Sequence, residues 1–187
     1  MRKRIVATLV LIFVLFSIYH VIMTQAATTA VINMYLNITP GSLSIDAGPT
    51  VEFPDYVFDP NGGINRLTNL SLINIVDTRG SGIGWSITAY SNLMWASNSA
   101  VVPMKNNIAN SSISIRGGAL GAWNSSSTTG IYINQTNQLL NAANVIANAG
   151  NGYGSGAYYI GNSLLNVLIT NNAVAGLYGG WLTLTIS

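Results

Sequence analysis

Three of the five carboxylates of this chain lie close together in the sequence, at Glu52, Asp55 and Asp59. A pair of such groups can hydrolyse glycosides when they flank a cleft and have different pKa values. The segment Asp59-Pro60-Asn61-Gly62-Gly63 also begins as a calcium-binding loop does, but no Glu closes it at the twelfth position. Proline, asparagine and glycine in this order are typical of a plain β-turn, which is the interpretation we favour.

The N-terminus has the organisation of a secretory signal peptide. Arg2, Lys3 and Arg4 precede a long apolar run, Ile5 to Met23, and Thr24-Gln25-Ala26 forms a small-x-small cleavage site. We predict a signal peptide over residues 1–26. The alternative is an uncleaved membrane anchor, since the run approaches the roughly 20 residues that span a bilayer. A pilin-like core helix is a third possibility, but Arg4-Ile5 lacks the small residue expected before that cleavage.

Residues 27–187 contain neither histidine nor cysteine, because the single histidine is His20. A Ser-His-Asp triad, a thiol nucleophile, an ordinary zinc or haem site and a disulfide are therefore excluded for this part of the chain. We predict a protein that is not an enzyme and that holds no metal and no cofactor.

The same region is nearly free of charge, with four basic residues against five acidic ones. The basic character of the whole chain belongs to its N-terminus, and we expect no nucleic-acid partner. A surface with so few charges must be hydrated by neutral polar groups or sugar, or be hidden by polymerisation. Five N-x-Ser/Thr sequons supply candidate glycosylation sites, so N-linked glycans are expected. They are Asn37, Asn69, Asn110, Asn124 and Asn134.

Residues 28–39 alternate cleanly between two kinds of side chain, which predicts an extended strand of about 12 residues. Pro40-Gly41 ends it. We therefore divide the chain into a signal peptide (1–26), an N-terminal strand (27–40) and a head domain (41–187). One face of the strand is apolar towards its C-terminal end, and this face is a candidate polymerisation surface. Its residues are Thr28, Ala30, Ile32, Met34, Leu36 and Ile38.

The head domain reads as a succession of short strands separated by turn residues, which predicts an all-β, antiparallel β-sandwich. One segment, Asn137 to Asn148, has helical spacing and is predicted as a short helix or loop. Asn151 to Gly161 is predicted to be flexible. The strands are predicted at Ser42–Ile45, Leu67–Val76, Gly84–Tyr90, Ser112–Arg116, Gly130–Ile133, Leu164–Thr170 and Leu177–Ser187.

The stretch Ile75 to Tyr90 carries the most distinctive pattern. Asp77 and Arg79 bracket a turn, glycines follow at 80, 82 and 84, and the alternation restarts at Trp85. The spacing of two between Trp85 and Ile87 places both side chains on one face of a strand. We therefore expect a second layer of structure to pack on this tryptophan.

Three blocks of the chain have recognisable patterns, and they are Thr39-Pro40-Gly41-Ser42-Leu43-Ser44-Ile45, Val76 to Thr88, and Ala175 to Ile186. Together they resemble the WxL domain of bacterial surface proteins. The second Trp-x-Leu motif of that family has no tryptophan here, although Trp181 stands three residues before Leu184. The resemblance implies an Ig-like sandwich that binds cell wall non-covalently, with Asp77, Arg79, Gly80, Trp85, Ile87, Tyr178 and Trp181 as its core motif.

In composition and architecture the chain is also similar to archaeal thread-type filament subunits, which assemble by donor-strand complementation. This resemblance implies a secreted, extracellular subunit at the cell surface whose partners are identical subunits, with membrane contact only through the signal peptide. The predicted function is head-to-tail polymerisation by insertion of the N-terminal strand into the neighbouring subunit. The alternative is a WxL-type module that binds cell-wall polymer. The same strand pairing within its own subunit is the third reading of residues 28–39.

Overall fold

A computed structural model describes residues 2–22, 32–57, 59, 63–96, 107–171 and 173–187, with backbone alone at 18–22. The chain divides into two compact units, 1–38 and 39–187. The first contains helix α1 (Arg2–Ile22), whose apolar side chains over residues 5–16 are exposed. Within the described part of the chain, no helix has both the length and the apolar character needed to cross a bilayer.

The second unit consists of short antiparallel strands in the regions described. Their bounds are β1 Leu43–Asp46, β2 Ile64–Asn69, β3 Ile73–Asp77, β4 Trp85–Ser91, β5 Met94–Ala96, β6 Asn107–Ile108, β7 Ile113–Arg116, β8 Ala119–Trp123, β9 Ile131–Ile133, β10 Gln138–Leu139, β11 Asn144–Ala149, β12 Gly156–Gly161, β13 Leu164–Ile169, β14 Tyr178–Gly179 and β15 Leu182–Ile186. One 3-10 turn, Asn110–Ser112, precedes β7. The chain is therefore all-β apart from α1, over the residues described.

The strands form four antiparallel sheets. The first has the order β1-β3-β12-β8, the second β10-β7-β13-β2, the third β15-β4-β11-β9 and the fourth β14-β5-β6. Buried apolar residues from all of these sheets except the small fourth one alternate along their strands, as in Ile73 and Ile75 of β3 or Leu165 and Val167 of β13. They belong to one hydrophobic cluster, to which Ile108 of β6 in the fourth sheet also contributes.

The connection from β3 to β4 passes from the first sheet to the third. Trp85, at the start of β4, is 4% exposed, and its indole lies 6.3 Å from the ring of Tyr158 in the first sheet. The indole Nε1 donates a hydrogen bond to the carbonyl oxygen of Gly154 at 3.0 Å. Ile87 is fully buried on the same face. The prediction that structure from elsewhere in the chain packs on this tryptophan is confirmed.

The prediction of a short helix or loop over Asn137 to Asn148 is wrong for most of this segment. This region contains β10 and β11, and β11 lies between β4 and β9 with ladder bonds on both edges. A register shift between Val145 and Ala147 leaves both Ile146 and Ala147 buried. That irregularity interrupts the simple alternation of a strand and makes the spacing resemble a helix.

Two further predictions are also corrected. Residues 151–161 contain β12, an inner strand of the first sheet whose Tyr158 and Ile160 are buried, so the prediction of a flexible segment is wrong there. The predicted strand Leu67–Val76 is two strands, β2 and β3, in different sheets. Leu70 leaves the ladder between them and donates its backbone N–H to the carbonyl oxygen of Ser163 at 2.8 Å.

The predicted N-terminal strand lies only partly within the described residues. Thr28 and Ala30 fall outside them, and residues 32–40 belong to no strand and no helix.

Candidate interaction surfaces

The Asp77–Arg79 pair holds the turn that joins β3 to β4. Asp77 is 3% exposed and accepts hydrogen bonds from Arg79 Nε and Nη2, each at 3.0 Å, and from the Arg79 backbone N–H at 3.1 Å. The Arg79 guanidinium also donates to the carbonyl oxygen of Gly84 at 2.6 Å. One side chain thus ties both ends of the turn, and the two-residue spacing makes the paired fork geometry possible.

These contacts change the protonation behaviour of the residues around the turn. The hydrogen bonds from the Arg79 side chain, together with its backbone N–H and its charge, lower the pKa of Asp77 despite burial. The side-chain hydrogen bond to Asp77, together with the charge of Asp77, raises the pKa of Arg79. Burial, and secondly the charge of Asp77, raises the pKa of Tyr158, whose hydroxyl donates to the Ser155 carbonyl oxygen at 2.8 Å. The site is a structural clamp, with its charges already paired.

The second element of the predicted core motif lies on the surface. Trp181 is 69% exposed, and Tyr178 is partly buried at the edge strand β14. Trp181 is held by its backbone: its N–H donates to Asn92 Oδ1 at 2.6 Å and its carbonyl accepts from the Asn92 N–H at 3.2 Å. Its indole packs edge-on against Trp95, with ring centroids 5.5 Å apart. Gly80, in the clamped turn, is exposed.

Residues 32–38 form an exposed apolar segment. Its large apolar side chains are 78–92% exposed. The whole segment carries no charge. Exposed apolar residues scattered singly are ordinary, whereas a contiguous set marks an interaction surface. We call these residues the N-terminal segment; its exposed apolar residues are Ile32, Met34, Tyr35, Leu36 and Ile38.

A groove of about 650 Å³ opens in the head domain, and we call it the apolar groove. Its floor is apolar and comes from the second sheet, where Leu165, Val167 and Ile169 of β13 line it together with Ile113 of β7. One wall is the irregular segment 173–181, whose rim side chains Leu177 and Trp181 are largely exposed. The opposite wall is the segment 51–56.

The wall at 51–56 is attached to β2 by side chains. Thr68 Oγ1 donates to the Glu52 carbonyl oxygen at 2.8 Å, and Arg66 Nη2 donates to the carbonyl oxygens of Pro54 and Asp55 at 3.1 and 2.7 Å. The Arg66 guanidinium also lies 5.7 Å from the ring of Tyr56. Its Nε is buried without a hydrogen-bond partner. Two side chains of the edge strand β2 thus hydrogen-bond to the wall, and Val51 and Phe53 of the wall pack against the hydrophobic cluster.

Two of the carboxylates considered at the outset, Glu52 and Asp55, lie on the same wall of the apolar groove. Glu52, Asp55 and Asp59 are all exposed, the first two on the groove wall. Across the residues that the structure describes, no three His, Cys, Asp or Glu side chains come together in an arrangement that would hold a metal ion. Part of the candidate calcium loop, residues 60–62, lies outside the described residues.

The sequons differ in accessibility. Asn37, Asn69 and Asn124 are exposed, whereas Asn110 and Asn134 are partly buried. The Asn134 amide is already engaged, because Oδ1 accepts from Thr136 Oγ1 at 2.7 Å and Nδ2 donates to the Val145 carbonyl oxygen at 3.4 Å. Asn124 lies in a tight turn with φ of 52°. The three exposed asparagines are therefore better placed to carry a bulky group.

The head is antiparallel and all-β over the residues described, with a paired-charge clamp and an apolar groove, and the N-terminal segment carries exposed apolar side chains. Comparison with protein-family models, with curated proteins and with solved structures finds no match to this chain.

Proposed function

We propose that this chain is a structural subunit of an extracellular surface filament, which polymerises head to tail by inserting its N-terminal segment into a neighbouring copy. The observation that carries the proposal is the exposure of this segment, whose apolar side chains are 78–92% exposed and lie outside any strand. An extended segment that completes the sheet of another molecule would bury these side chains and satisfy its backbone at the same time.

The free energies expected for insertion support a contribution from both the apolar side chains and the backbone hydrogen bonds of the segment. Burying Ile32, Met34, Leu36 and Ile38 at about 1.5–3 kcal/mol each contributes roughly 6–12 kcal/mol. Association costs about 4–15 kcal/mol in lost freedom, so apolar burial alone comes close to balance. Main-chain hydrogen bonds must therefore add to the affinity. Because donor and acceptor surfaces differ, each bound copy leaves one of each free, and the product is a fibre.

The proposal includes a finer architecture and a route to the surface. Residues 1–26 act as a signal peptide, 27–40 as the donor segment and 41–187 as a sandwich head of WxL or Ig-like type. Support for the sandwich comes from the single hydrophobic cluster shared by strands of different sheets. The exposed sequons Asn37, Asn69 and Asn124 would carry glycans that hydrate a surface with little charge. The subunit has a structural rather than an enzymatic role.

A charge placed on the apolar face of the N-terminal segment tests the proposal. We expect Leu36→Asp to abolish filaments seen by negative-stain electron microscopy of sheared cell-surface material, since an unpaired carboxylate would have to be buried on insertion. Tyr35→Asp is the matched control, because alternation places this residue on the opposite face. Filaments that form equally well with Leu36→Asp would refute insertion of this face. Loss of filaments in both variants would show that charge in the segment, and not its apolar face, is responsible.

A second candidate function is the WxL-type module that binds cell-wall polymer. The Trp95–Trp181 pair favours it, because two surface indoles in edge contact offer a stacking face for sugar rings. Under this alternative, Trp181→Ala would release the protein from isolated cell-wall material, while Leu36→Asp would leave binding unchanged. Retention of Trp181→Ala on the wall at the level of the unmodified chain would remove this candidate.

A further inference from the structure

We propose that the apolar groove is the acceptor site for the N-terminal segment of a second copy of this chain. The inference rests on the proposed function and adds to it the place of insertion. It starts from the match between two patterns, both seen in the described residues. The segment presents apolar side chains at every second position, and the groove floor presents Leu165, Val167 and Ile169 at the same spacing.

Length agrees with this assignment. Residues 32–38 span about 20 Å when extended, and the six residues of β13, which supplies most of the floor, span about 17–20 Å. A second concave surface, lined by residues 47–51 and by Leu182 and Leu184, has a volume of about 250 Å³. It is less than half as large as the apolar groove. Another concave surface, of about 530 Å³, is lined in part by the polar side chains of Arg79, Ser86 and Asn148. The apolar groove is thus the better fit for a run of several large apolar side chains.

Charge agrees as well. The N-terminal segment has no charged residue, so its insertion buries no ion. The charged residues of the groove lining, Glu52 and Asp55, are exposed on the wall and keep their contact with water. An apolar, uncharged occupant suits the floor, whose residues from β13 and β7 are all apolar.

One wall of the groove includes an open strand edge. β14 lies at the edge of the fourth sheet, with β5 on one side only. The wall at 51–56 is attached to β2 through the side chains of Arg66 and Thr68, and between 51–56 and β2 the described structure contains no backbone ladder. An extended segment in the groove would meet the open edge of β14, whose two residues line the groove, and an open edge is what strand addition requires.

Disulfide trapping tests the location, because the chain has no cysteine of its own. One cysteine replaces Met34, Leu36 or Ile38 in turn, and the other replaces Val174, a half-exposed residue of the groove wall. Mild oxidation of the assembled full chain should give a ladder of covalent multimers on a non-reducing denaturing gel for at least one pair. A disulfide forms only when the two Cα atoms approach to about 4.4–6.8 Å.

The control pairs place the second cysteine at Tyr132, which is exposed on β9 and does not line the groove. We expect at least tenfold fewer covalent multimers from them. Equal ladders from the Tyr132 and Val174 series would overturn the groove assignment. An internally linked monomer in the Val174 series would also overturn it, since the chain's own segment would then be the occupant. If filaments form but the Val174 series gives no covalent multimers, the groove is not the acceptor site, while the proposal of polymerisation stands.

A mixing experiment separates donor from acceptor in full-length chains. Leu177→Asp places a charge on the exposed rim of the groove, where it is expected to leave folding intact. Neither Leu177→Asp nor Leu36→Asp alone should assemble, whereas an equal mixture should give dimers and stop there. Leu139→Asp, at an exposed apolar position outside the groove, should form filaments normally. Filaments of Leu177→Asp would contradict the acceptor assignment, and absence of filaments from the unmodified chain would instead reject the proposed function.

Discussion

The substitution Asp77→Asn removes the charge from the clamp between β3 and β4. Asp77 is nearly buried and accepts three hydrogen bonds from Arg79, two of them from the guanidinium. An asparagine amide offers one acceptor oxygen and turns an NH₂ donor towards the Arg79 donors. The guanidinium would keep its bond to the Gly84 carbonyl oxygen but would lose its counter-charge.

The expected cost is about 3 kcal/mol. Hydrogen bonds to charged groups contribute roughly 1.5–3 kcal/mol each, and breaking a buried ion pair costs about 3–5 kcal/mol. We take the lower end of the ion-pair range because the Arg79 side chain is 21% exposed, so water replaces part of the lost hydrogen bonding. For a chain of this size, that cost lowers the melting temperature by about 6–12 °C.

Acid should remove the difference between the two proteins. The folded state lowers the pKa of Asp77 below its ordinary value of 3.8, so the stabilisation is fully present above that value. It is lost as the pH falls through the lower, folded-state pKa. Thermal unfolding followed by circular dichroism, at pH 7 and then stepwise towards pH 2, measures the stability difference at neutral pH and its decrease in acid. We expect the stability gap between the unmodified chain and Asp77→Asn to be largest at neutral pH.

Asp46→Asn is the matched control, since Asp46 is an exposed carboxylate at the end of the neighbouring strand β1. It should change stability by no more than about 0.5 kcal/mol. A melting temperature for Asp77→Asn equal to that of the control at pH 7 would refute the clamp. A gap that stays constant down to pH 2 would refute the account of its origin in the charge of Asp77.

Three further predictions follow from single residues. Gly84→Ala should destabilise the fold by at least about 2 kcal/mol in urea denaturation, because Gly84 has φ of 75° and a Cβ would collide with the carbonyl oxygens of Ala149 and Gly150; Gly80→Ala, with φ of 67° and open space around it, should cost clearly less, and equal costs would contradict the collision. Arg66→Ala should speed chymotryptic cleavage after Tyr56 several-fold by releasing this part of the groove wall, with exposed Arg116→Ala as control; unchanged cleavage would show that the Arg66 contacts do not hold the wall. Trp85→Ala should cost about 3–5 kcal/mol and Trp181→Ala less than 1 kcal/mol, because only Trp85 is buried; the reverse order would contradict the burial assigned to the two indoles.

Local alternation predicted much of the strand content. β7, β9 and β13 lie within predicted strands, and β1 and β4 each extend one residue beyond theirs, because a period of two is a property of the extended backbone itself. The predicted strand Leu177–Ser187 is instead two strands, β14 and β15, in different sheets. The failures have local physical causes. The bulge in β11 places the consecutive residues Ile146 and Ala147 in the core together, so the sequence lacks the simple alternation that predicts a strand. In β12, glycines flank the strand and suggested flexibility, yet Gly121 of the paired strand β8 leaves space for the Tyr159 ring.

Residues that are distant in the sequence decide the candidate sites. The Asp77–Arg79 turn could be recognised beforehand because both partners belong to one short motif. The apolar groove could not, because its floor on β13, its wall at 51–56 and its rim at Leu177 come from segments many residues apart. The predicted core motif included both Trp85 and Trp181. Only the packing in the folded chain shows that the first indole is buried and the second is exposed.

The sequence by itself determined the chemistry that is possible and the character of the N-terminal segment. Residues 27–187 lack histidine and cysteine, and residues 32–38 alternate large apolar side chains without a charge, so these properties hold whatever the fold. Only the tertiary structure decided which strands pair and where apolar surface stays uncovered. Pairing depends on contacts between remote segments, and a groove exists only where three of them meet without filling the space between them.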